Sequence, residues 1–384
     1  MRQRALIIGG GIGGLAAAIS LRLGGIEAHV YERALELKEV GAGLSLWSNG
    51  SKALDLLGLR DPWRSITTPL MRADTRLPSG RVLGWLNVGK LNATSAHPSV
   101  AAHRGELLDL LHQAIPLATV HVGKELHHFA DNGDGVTAAF TDGSEVQGAF
   151  LVGADGISSL ARRQLFPSAV AAYAGYSTWR GVARMDPGPG WPKRALVRTV
   201  GRGEYFGVGE ISRNRYLWYA TKNMAEEAAE PEGRKGTLLR HFGQWHHPIP
   251  ELLATTHESD MLLHPVYKMP VMQRWSKGRI TLLGDAAHPI EPSLGMGAAL
   301  ALEDAVVLAR CLKEHDDVRS ALIRYQELRR PRVKKIVRAS AFLAKTEQLR
   351  SPVACRLRDL SSMITPEPIL RAATRPLMTF EPGG

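Results

Sequence analysis

Three glycines near the start of the chain have the spacing of a turn that can hold a phosphate. Gly9, Gly11 and Gly14 form the pattern Gly-x-Gly-x-x-Gly, and Glu32 follows 23 residues after Gly9. The first glycine permits a tight turn, the second lets a pyrophosphate approach the backbone, and the third lets a helix pack closely on a strand. Glu32 can accept hydrogen bonds from the hydroxyls of an adenosine ribose. This spacing indicates dinucleotide binding.

The flanking segments predict the elements that position these residues. Ala5–Ile8 is an apolar run suited to a buried strand, Leu15–Leu23 is an Ala- and Leu-rich helix that ends at two glycines, and Ala28–Tyr31 is a second strand. Strand, glycine turn, helix, strand and acid follow in the order of a Rossmann unit. The N-terminus of its helix offers N–H groups and positive potential to phosphates.

The same stretch has an alternative interpretation as a secretory signal peptide, because a basic start precedes an apolar run from Ala5 to Leu21. Glycine lowers helix propensity by about 1 kcal/mol per residue, so five clustered glycines make a poor apolar helix. Arg22 also ends the run before the roughly 20 residues of a membrane span. We therefore predict a turn and no export signal, and we expect a cytoplasmic protein.

Three further segments have residues that could contact a cofactor. The strand that starts at Leu151 ends in an Asp155-Gly turn, and the strand that starts at Arg279 ends at Asp285. A second glycine turn, Gly295-Met-Gly297, then opens a long helix, and Arg104 stands at the start of another helix. Open α/β sheets bind ligands at the carboxyl ends of their strands, so both aspartates are candidate ligand contacts.

Together these motifs resemble the class A flavoprotein monooxygenases, which are FAD-dependent enzymes of the para-hydroxybenzoate-hydroxylase fold. The matching segments are the N-terminal fingerprint, Gly153-Ala-Asp-Gly156 and Gly284-Asp-Ala-Ala-His-Pro289, in the family's order. Within this family, the chain resembles the branch of salicylate hydroxylase, urate hydroxylase and zeaxanthin epoxidase. The resemblance implies FAD as the cofactor and NAD(P)H as a reductant without a Rossmann domain of its own. The sequence agrees, because Gly201-x-Gly203 lacks the strand, helix and acid of a second fingerprint.

The resemblance also implies the reaction. In this family, reduced FAD and O2 give a flavin hydroperoxide, which inserts one oxygen atom into an aromatic or heteroaromatic small molecule. The protein must position the substrate and exclude water. Two alternatives stay open: an epoxidase of an isoprenoid or polyketide alkene, and a flavin-binding protein without turnover.

The cofactor contacts that the resemblance implies are spread over the chain. Arg104 matches the family's flavin-contacting arginine, Asp285 the aspartate near the ribityl or phosphate region, and Asp155 an aspartate that serves both cofactors, although it can also be a turn residue. The predicted cofactor residues are Gly9, Gly11, Gly13, Gly14, Glu32, Arg33, Ser45, Arg104, Leu126, Asp155, Asp285, Gly295, Gly297 and Ala298.

The flavin loop departs from the family pattern. Many relatives have Gly-Gln-Gly followed by Asn or Cys, whereas this chain has Gly295-Met296-Gly297-Ala298-Ala299. Backbone contacts can survive this change, and the roles of polar side chains at 296 and 299 are not carried over. His288 lies near the flavin by sequence, and it is as well suited to packing in a turn as to acid–base chemistry.

The aromatic runs between residues 173 and 270 predict a mixed sheet over the flavin. Alternation along one run places Tyr205 on one face and Phe206 on the other. By analogy with the family, the face of Tyr205 looks into the substrate site. The predicted substrate residues are Tyr205, Tyr219, Trp179 and Arg180, although most aromatic residues on a sheet serve in packing.

We expect an α/β fold in which a Rossmann-like FAD-binding domain contains an inserted mixed β-sheet and ends in a helical segment. The predicted division is 1–170 for the first part of the FAD domain, with a substrate-side insertion around 65–100. Residues 171–272 are the predicted substrate domain, and residues 273–384 are the predicted second part of the FAD domain with the C-terminal helices.

Composition limits the other functions. Of the 384 residues, 44% are hydrophobic and 22% are charged, which excludes a disordered or fibrous chain. Two cysteines cannot form a disulfide framework, and His246 and His247 lack a third metal ligand, so no metal is assigned.

The net charge of +11 comes partly from a basic run between Arg324 and Arg338, which predicts a solvated helix face. Pro331 is expected to interrupt this helix or to start a new one. A peripheral membrane contact of the C-terminal residues is possible, whereas nucleic-acid binding is not expected. The predicted partner is a small aromatic molecule, and the predicted assembly is a monomer or homodimer.

Overall fold

The computed structural model describes residues 4–37, 43–186, 188, 191–228 and 230–382. The strands of this part are β1 (Arg4–Ile8), β2 (Glu27–Tyr31), β3 (Gly43–Leu46), β4 (Thr67–Pro69), β5 (Arg72–Arg76), β6 (Val82–Leu86), β7 (Val100–His103), β8 (Val120–His121), β9 (Leu126–Asp131), β10 (Val136–Phe140), β11 (Glu145–Gly148), β12 (Phe150–Gly153), β13 (Ala172–Arg184), β14 (Ala195–Val200), β15 (Glu204–Ser212), β16 (Arg215–Asn223), β17 (Leu262–Lys268), β18 (Ser276–Lys277) and β19 (Ile280–Leu282). The helices are α1 (Ile12–Leu23), α2 (Ser48–Leu56), α3 (Arg60–Ser65), α4 (Val88–Ala93), α5 (Arg104–Gln113), α6 (Leu160–Leu165), α7 (Gly233–Phe242), α8 (Ile249–Thr255), α9 (Gly297–Glu314), α10 (Val318–Glu347), α11 (Pro352–Ile364) and α12 (Glu367–Met378).

A parallel sheet carries the glycine turn. Its strand order is β18-β19-β12-β1-β2-β8, and all neighbours are parallel except β18 and β19. Ala5–Ile8 of β1 is buried, as its unbroken apolar run predicts for a strand covered on both faces. The chain leaves β1 through α1 to β2 on one side, and β12 lies on the other side. This change of direction opens a crevice at the carboxyl ends of β1 and β12.

Helix α1 begins at Ile12, three residues before the predicted start at Leu15. Gly13 and Gly14 therefore belong to the first helical turn. Glycine is suited to this turn because the turn packs so closely on the backbone of Gly9 that a side chain at Gly14 would have no room. Residues 1–3, which include the basic start of the rejected signal peptide, lie outside the described residues.

A larger sheet forms the second layer, with strand order β17-β13-β16-β15-β14-β5-β6. Only β14 and β5 pair in parallel. One face packs on α7 and α8 through a buried cluster that includes Trp179, Phe206, Trp218 and Phe242. Strands β5 and β6 come from the segment around 65–100 that the sequence assigns to the substrate side. The domain boundaries at 170 and 272 stay a prediction.

Two smaller antiparallel sheets, β3-β7-β4 and β11-β10-β9, complete the strand layers. The arrangement of a parallel sheet, a mixed sheet and C-terminal helices confirms the predicted fold class. Within the described ranges, no helix is long and apolar enough to cross a membrane. The same residues contain no group of three or more His, Cys, Asp or Glu side chains that could hold a metal ion.

A buried ion network joins α9 to α10. Arg329 bonds Glu303 at 2.6 Å and Asp304 at 2.6 Å, and Arg332 bonds Glu303 with two nitrogens at 2.6 Å each. Glu303 and Asp304 are completely buried, and Asn49 of α2 donates to Glu303 at 2.7 Å. The two arginines balance the two carboxylates, which makes the burial of Glu303 and Asp304 possible.

The predictions for the basic run are wrong at these positions. Arg329 and Arg332 turn inward from the expected solvated face, because two acids on α9 lie opposite them. Helix α10 also continues through Pro331, which the sequence takes as an interruption or a new start. Packing of α10 along α9 supports the helix across the position where the proline lacks its N–H.

We expect Arg329→Met to lower the free energy of unfolding by about 3–5 kcal/mol, because it leaves two carboxylates buried without their shared cation. Urea denaturation of the FAD-loaded protein measures the change. Arg324→Met is the matched control, since Arg324 pairs with Glu327 at 3.4 Å on the surface and contributes about 0–1 kcal/mol. Equal effects of the two substitutions would show that the buried network does not stabilise the α9–α10 contact.

Candidate active site

The glycine turn brings three backbone segments too close together for side chains. Gly9 has a φ of +108°, and a Cβ there would overlap the carbonyl oxygen of Ala154 after β12. A Cβ on Gly14 would overlap the carbonyl oxygen of Gly9, and one on Gly13 would lie 2.8 Å from Leu283 Cδ2. The turn therefore fastens the end of β1, the start of α1 and the end of β12 to one another.

Gly11 is different, because its missing side chain faces open space. A Cβ at this position would meet no described atom within 4 Å. Gly11 is the N-cap of α1 and has no side chain to bond the N–H groups at this helix start. These N–H groups and the positive end of the helix dipole are suited to a phosphate, so the residues present fit the pyrophosphate of a dinucleotide.

Glu32 is fixed by the turn at the end of β2. Its Oε2 accepts a hydrogen bond from Gly10 N at 2.6 Å, and its Oε1 accepts one from Ala34 N at 2.9 Å. The segment before β9 lies beside it, because Lys124 N donates to Glu32 O at 2.8 Å. Leu126 follows this segment and is buried, while Arg33 is exposed. The predicted contacts of these residues with adenosine stay predictions.

One cavity of about 300 Å³ runs from the glycine turn to the larger sheet. Ten of the predicted site residues line it: Gly11, Gly13, Ser45, Arg104, Arg180, Tyr219, Asp285, Gly295, Gly297 and Ala298. The other eight do not line it: Gly9, Gly14, Glu32, Arg33, Leu126, Asp155, Trp179 and Tyr205. Residues that are more than 280 positions apart in the sequence thus line the same cavity.

Asp285 and the start of α9 form one wall of this cavity. The left-handed turn at Gly295, with a φ of +61°, brings its Cα beside Ser45, so that a Cβ would lie 2.7 Å from Ser45 Oγ. A Cβ at Gly297 would lie 3.9 Å from Asp285 Oδ1. The carboxylate of Asp285 is accessible from the cavity, yet the enclosing protein raises its pKa, while His288 and the nearby arginines favour the ionised form.

The start of α9 is suited to negative charge. Its N-cap residue, Met296, makes no side-chain capping hydrogen bond, and the cavity reaches the backbone from Gly295 to Ala298. A reduced isoalloxazine carries such a charge, so these residues fit the flavin end of FAD. Met296 is buried in the turn, and its side chain brings no polar group to the place where many relatives have glutamine.

Asp155 lies in the turn before α6 and bonds the first N–H groups of that helix. Its Oδ2 accepts hydrogen bonds from Leu160 N at 2.8 Å and Ala161 N at 3.1 Å, and its Oδ1 accepts one from Ser159 Oγ at 2.5 Å. These bonds hold the start of α6 and agree with the simpler interpretation as a turn residue. The predicted contacts of Asp155 with FAD and NAD(P)H stay predictions.

Arg162 is a positioning residue that sequence reasoning missed. It is 3% exposed, and its guanidinium donates to the carbonyls of Asp285 at 3.2 Å and Ala286 at 3.0 Å. It also bonds the carbonyl of Ile157, so it ties the turn after β12 to the turn after β19. Burial lowers the pKa of Arg162. An Arg-Arg pair on a short helix looks like surface charge, so no sequence signal distinguishes it.

His288 belongs to the buried network and does not face the cavity. Its Nε2 lies 2.6 Å from Asp304 Oδ2, and the same oxygen accepts a hydrogen bond from Gly284 N at 2.9 Å. Burial opposes ionisation of Asp304, but His288 and Arg329 hold its pKa at about 2. Of the two interpretations left open by the sequence, the structure supports packing in the turn.

The larger sheet forms the roof of the cavity. Alternation along β13 directs Thr178 and Arg180 to the cavity, and β16 adds Leu217 and Tyr219. Trp179 points to the other face, where its Nε1 donates to Glu230 at 2.7 Å. The structure therefore does not support a substrate contact for Trp179, since neighbouring residues of a strand face opposite sides.

Tyr205 and Tyr219 form a hydroxyl pair on one face of the larger sheet, at the edge of the cavity. The two oxygens lie 2.6 Å apart, and only Tyr219 lines the cavity. Gly207 pairs with Tyr219 across β15 and β16, and a Cβ there would overlap the Tyr219 ring. Burial raises the pKa of both tyrosines, so both are neutral at physiological pH. Tyr205 is on the same sheet face as Tyr219, as the family analogy predicts, but it does not line the cavity itself and supports Tyr219 from the side.

Comparison with known proteins agrees with this geometry. Residues 2–340 match the family described as FAD binding domain. Aurachin C monooxygenase/isomerase of Stigmatella aurantiaca is 36% identical over 377 residues, which are 98% of each chain. The FAD-dependent urate hydroxylase of Klebsiella pneumoniae is 32% identical over 342 residues, which are 87% of this chain and 88% of the hydroxylase. The crystal structure of Klebsiella pneumoniae HpxO with FAD and uric acid has a TM-score of 0.92 at 28% identity, covering 98% of this chain and 96% of HpxO.

The fold and the family match define a flavoprotein with FAD as its cofactor. The chain belongs to the FAD binding domain family and is an FAD-dependent monooxygenase of class A, with NAD(P)H as the electron donor. The predicted family, cofactor and class of enzyme are confirmed.

We expect Gly11→Ala to fold normally and to bind FAD about 1–3 kcal/mol more weakly, which is roughly 5- to 150-fold, because the new methyl group occupies space meant for the pyrophosphate. The flavin absorbance per polypeptide and the unfolding midpoint of the FAD-free protein measure the two effects. The comparison variant is Gly14→Ala, where a methyl group meets backbone and destabilises the fold itself. Wild-type FAD affinity in Gly11→Ala would contradict this placement of the cofactor.

Proposed function

We propose that the substrate of this monooxygenase is a flat aromatic or heteroaromatic molecule that lies between the flavin and the roof formed by β13 and β16. The observation that carries the proposal is the shared cavity, which joins the start of α9 to Thr178, Arg180 and Tyr219. A ring held there would have the cofactor on one side and a mixed polar and apolar surface on the other.

In the reaction, one atom of O2 enters the substrate and the other leaves as water, while NAD(P)H supplies an electron pair as a hydride and becomes NAD(P)+ and one proton is taken up from solution. When bound, FAD accepts that electron pair and activates O2. The residues of this chain hold the cofactor and the substrate in register and keep bulk water away from the reacting atoms.

The proposed cofactor contacts follow the cavity from end to end. Glu32 accepts hydrogen bonds from the adenosine ribose, because each carboxylate oxygen keeps a lone pair beside its bond to the backbone. The N–H groups at the start of α1 bind the pyrophosphate. Asp285 accepts hydrogen bonds from ribityl hydroxyls, and the N–H groups at the start of α9 stabilise negative charge on the flavin ring.

The proposed substrate contacts divide into an apolar and a polar group. Leu196, Leu217 and Ile290 supply apolar walls on which a ring can pack. Tyr219 supplies a hydroxyl that its bond to Tyr205 holds in place, so it can give a hydrogen bond to, or take one from, a ring substituent. The neutral state of Tyr219 leaves its proton available as a donor, because burial raises its pKa.

The names of the relatives suggest which compounds to test first. Uric acid and aurachin C are the molecules named for the two relatives described above, and both belong in a screen with small phenols and benzoates. Epoxidation of an alkene uses the same cofactor, and an alkene would also fit a cavity with apolar walls. The product distinguishes the two reactions, since a hydroxylated ring and an epoxide differ in structure at equal added mass.

We propose small molecules as the ligands of this site. The monomer or homodimer and the cytoplasmic location stay predictions.

The proposed function is tested by adding candidate aromatics to the FAD-loaded enzyme with NAD(P)H and O2. We expect a substrate to accelerate NAD(P)H oxidation and to appear as a product heavier by one oxygen atom. Hydrogen peroxide is measured in parallel, because a compound that only stimulates oxidation yields peroxide and no product. If every aromatic gives peroxide alone while an alkene is epoxidised, the aromatic substrate class is wrong.

We expect Tyr219→Phe to lower kcat/KM about 5- to 10-fold, because about 1 kcal/mol of hydrogen bonding to the substrate is lost, with a rise in the fraction of NAD(P)H wasted as peroxide. Tyr205→Phe removes only the hydrogen-bond partner of Tyr219, so we expect it to lower kcat/KM less than Tyr219→Phe does. Tyr216→Phe is the matched control, because Tyr216 lies on the same strand but its ring packs on the other face, in the buried cluster against α7 and α8. An unchanged kcat/KM in Tyr219→Phe would rule out the proposed contact.

A further inference from the structure

Helix α11 presents an apolar face to solvent. Val353, Leu357, Leu360 and Ile364 follow a spacing of four, three and four residues, which places them within about 60° of one another around the helix. Their exposed fractions lie between 52% and 68%. The opposite side is the one that packs, since Cys355 on that side is buried. A surface helix normally has the reverse arrangement.

Helix α12 has the same inverted pattern. Ile369 is 61% exposed and shares its outward side with Ala372, Ala373 and Pro376, which are all exposed. Met378 lies on the opposite side of the helix and is 5% exposed. We call the outward residues Val353, Leu357, Leu360, Ile364, Ile369, Ala372, Ala373 and Pro376 the C-terminal apolar face.

Both helices are attached to the rest of the protein, so their exposure does not come from a loose end. In α11, Arg358 donates to the carbonyl of Gly201 at 3.0 Å, and the backbone at Ser362 lies against Gly84 of β6. In α12, the carboxylate of Glu367 accepts a hydrogen bond from Asn87 N at 3.0 Å. These contacts fix the inward sides and leave the apolar face outward.

The charges around this face are positive. Residues 350–378 contain five arginines and two acids. Both acids are paired, Asp359 with Arg358 at 2.8 Å and Glu367 with Arg371 at 3.2 Å. The other three arginines, Arg350, Arg356 and Arg375, are exposed, and none has an ion-pair partner among the residues the structure describes.

We propose that the C-terminal apolar face docks on an anionic lipid surface. With 13 and 12 residues at about 1.5 Å per residue, the helices are shorter than the roughly 30 Å of a bilayer core, so they lie in the interface. Apolar side chains enter the acyl boundary while the arginines meet lipid phosphates. A second copy of the chain would bring the same positive rim and no free acid to pair with it, which disfavours a dimer across this face.

Vesicle flotation with the full-length, FAD-loaded protein tests the proposal. One vesicle preparation contains phosphatidylcholine alone, and the other contains equal parts of phosphatidylcholine and phosphatidylglycerol. We expect the protein to float with the anionic vesicles, to bind neutral vesicles more weakly, and to be released in part by salt.

The double substitution Leu357→Ser/Ile364→Ser should weaken binding to anionic vesicles by at least about tenfold, because two apolar side chains no longer enter the lipid. Both positions are exposed, so folding and FAD content should be unchanged. Leu117→Ser is the matched control, since Leu117 is 73% exposed outside these helices, and it should bind as the wild type does. Arg356→Gln/Arg375→Gln should also weaken anionic binding about tenfold or more.

Three outcomes overturn the proposal. The first is wild-type protein that fails to float with anionic vesicles. The second is a Leu357→Ser/Ile364→Ser variant that floats as well as the wild type. The third is a sedimentation measurement in which the wild type is a dimer and that variant is a monomer, since a second copy then covers the face. None of these outcomes depends on the proposed substrate, which is tested without lipid.

Discussion

The contact between the Gly14 backbone and the Gly9 carbonyl is the constraint on which the rest of the site depends. It leaves no room for a side chain and holds the end of β1 against the start of α1. Ala154, after β12, closes on Gly9 in the same way. Because these ends are locked together, the carboxyl edge of the parallel sheet is a fixed platform. The open space at Gly11 lies on that platform, beside the N-terminus of a helix, where phosphate binding is favourable.

The position of α9 relative to this platform is set by charges. Asp304 accepts hydrogen bonds from His288 and from Gly284 N, so it connects the middle of α9 to the turn that carries Asp285. Arg329 then connects the same carboxylate to α10. Arg162 performs a similar task from α6. Buried ion pairs therefore hold α9 against α10 and the turn with Asp285, and the hydrogen bonds of Arg162 to backbone carbonyls tie that turn to the end of β12.

The cofactor end and the substrate end of the cavity are built from different materials. Backbone groups of two helix starts and two glycine turns dominate the cofactor end, and these groups are the same in any chain with that local pattern. Side chains of one sheet face dominate the roof, where Tyr219 and Arg180 meet leucines. On the proposed assignment, the backbone motifs bind the cofactor that defines the class of reaction, and a few side chains of the roof select the substrate.

The sequence by itself determined the strand–turn–helix–strand unit, the FAD cofactor through the family resemblance, and the convergence of Ser45, Asp285 and Gly295 on one cavity. The unit follows from local patterns whose glycines and strand ends have few alternative conformations, and the cofactor and the grouping of Ser45 with Asp285 and Gly295 follow from the family resemblance. Tertiary structure alone decided that Arg329 points inward and that Arg162 ties two turns together. It also decided that Tyr219 and Trp179 lie on opposite faces of the larger sheet. The physical reason is that alternation along a strand gives two faces without saying which one meets the cavity. Likewise, a charged residue reveals its role only once a partner from a distant segment lies opposite it.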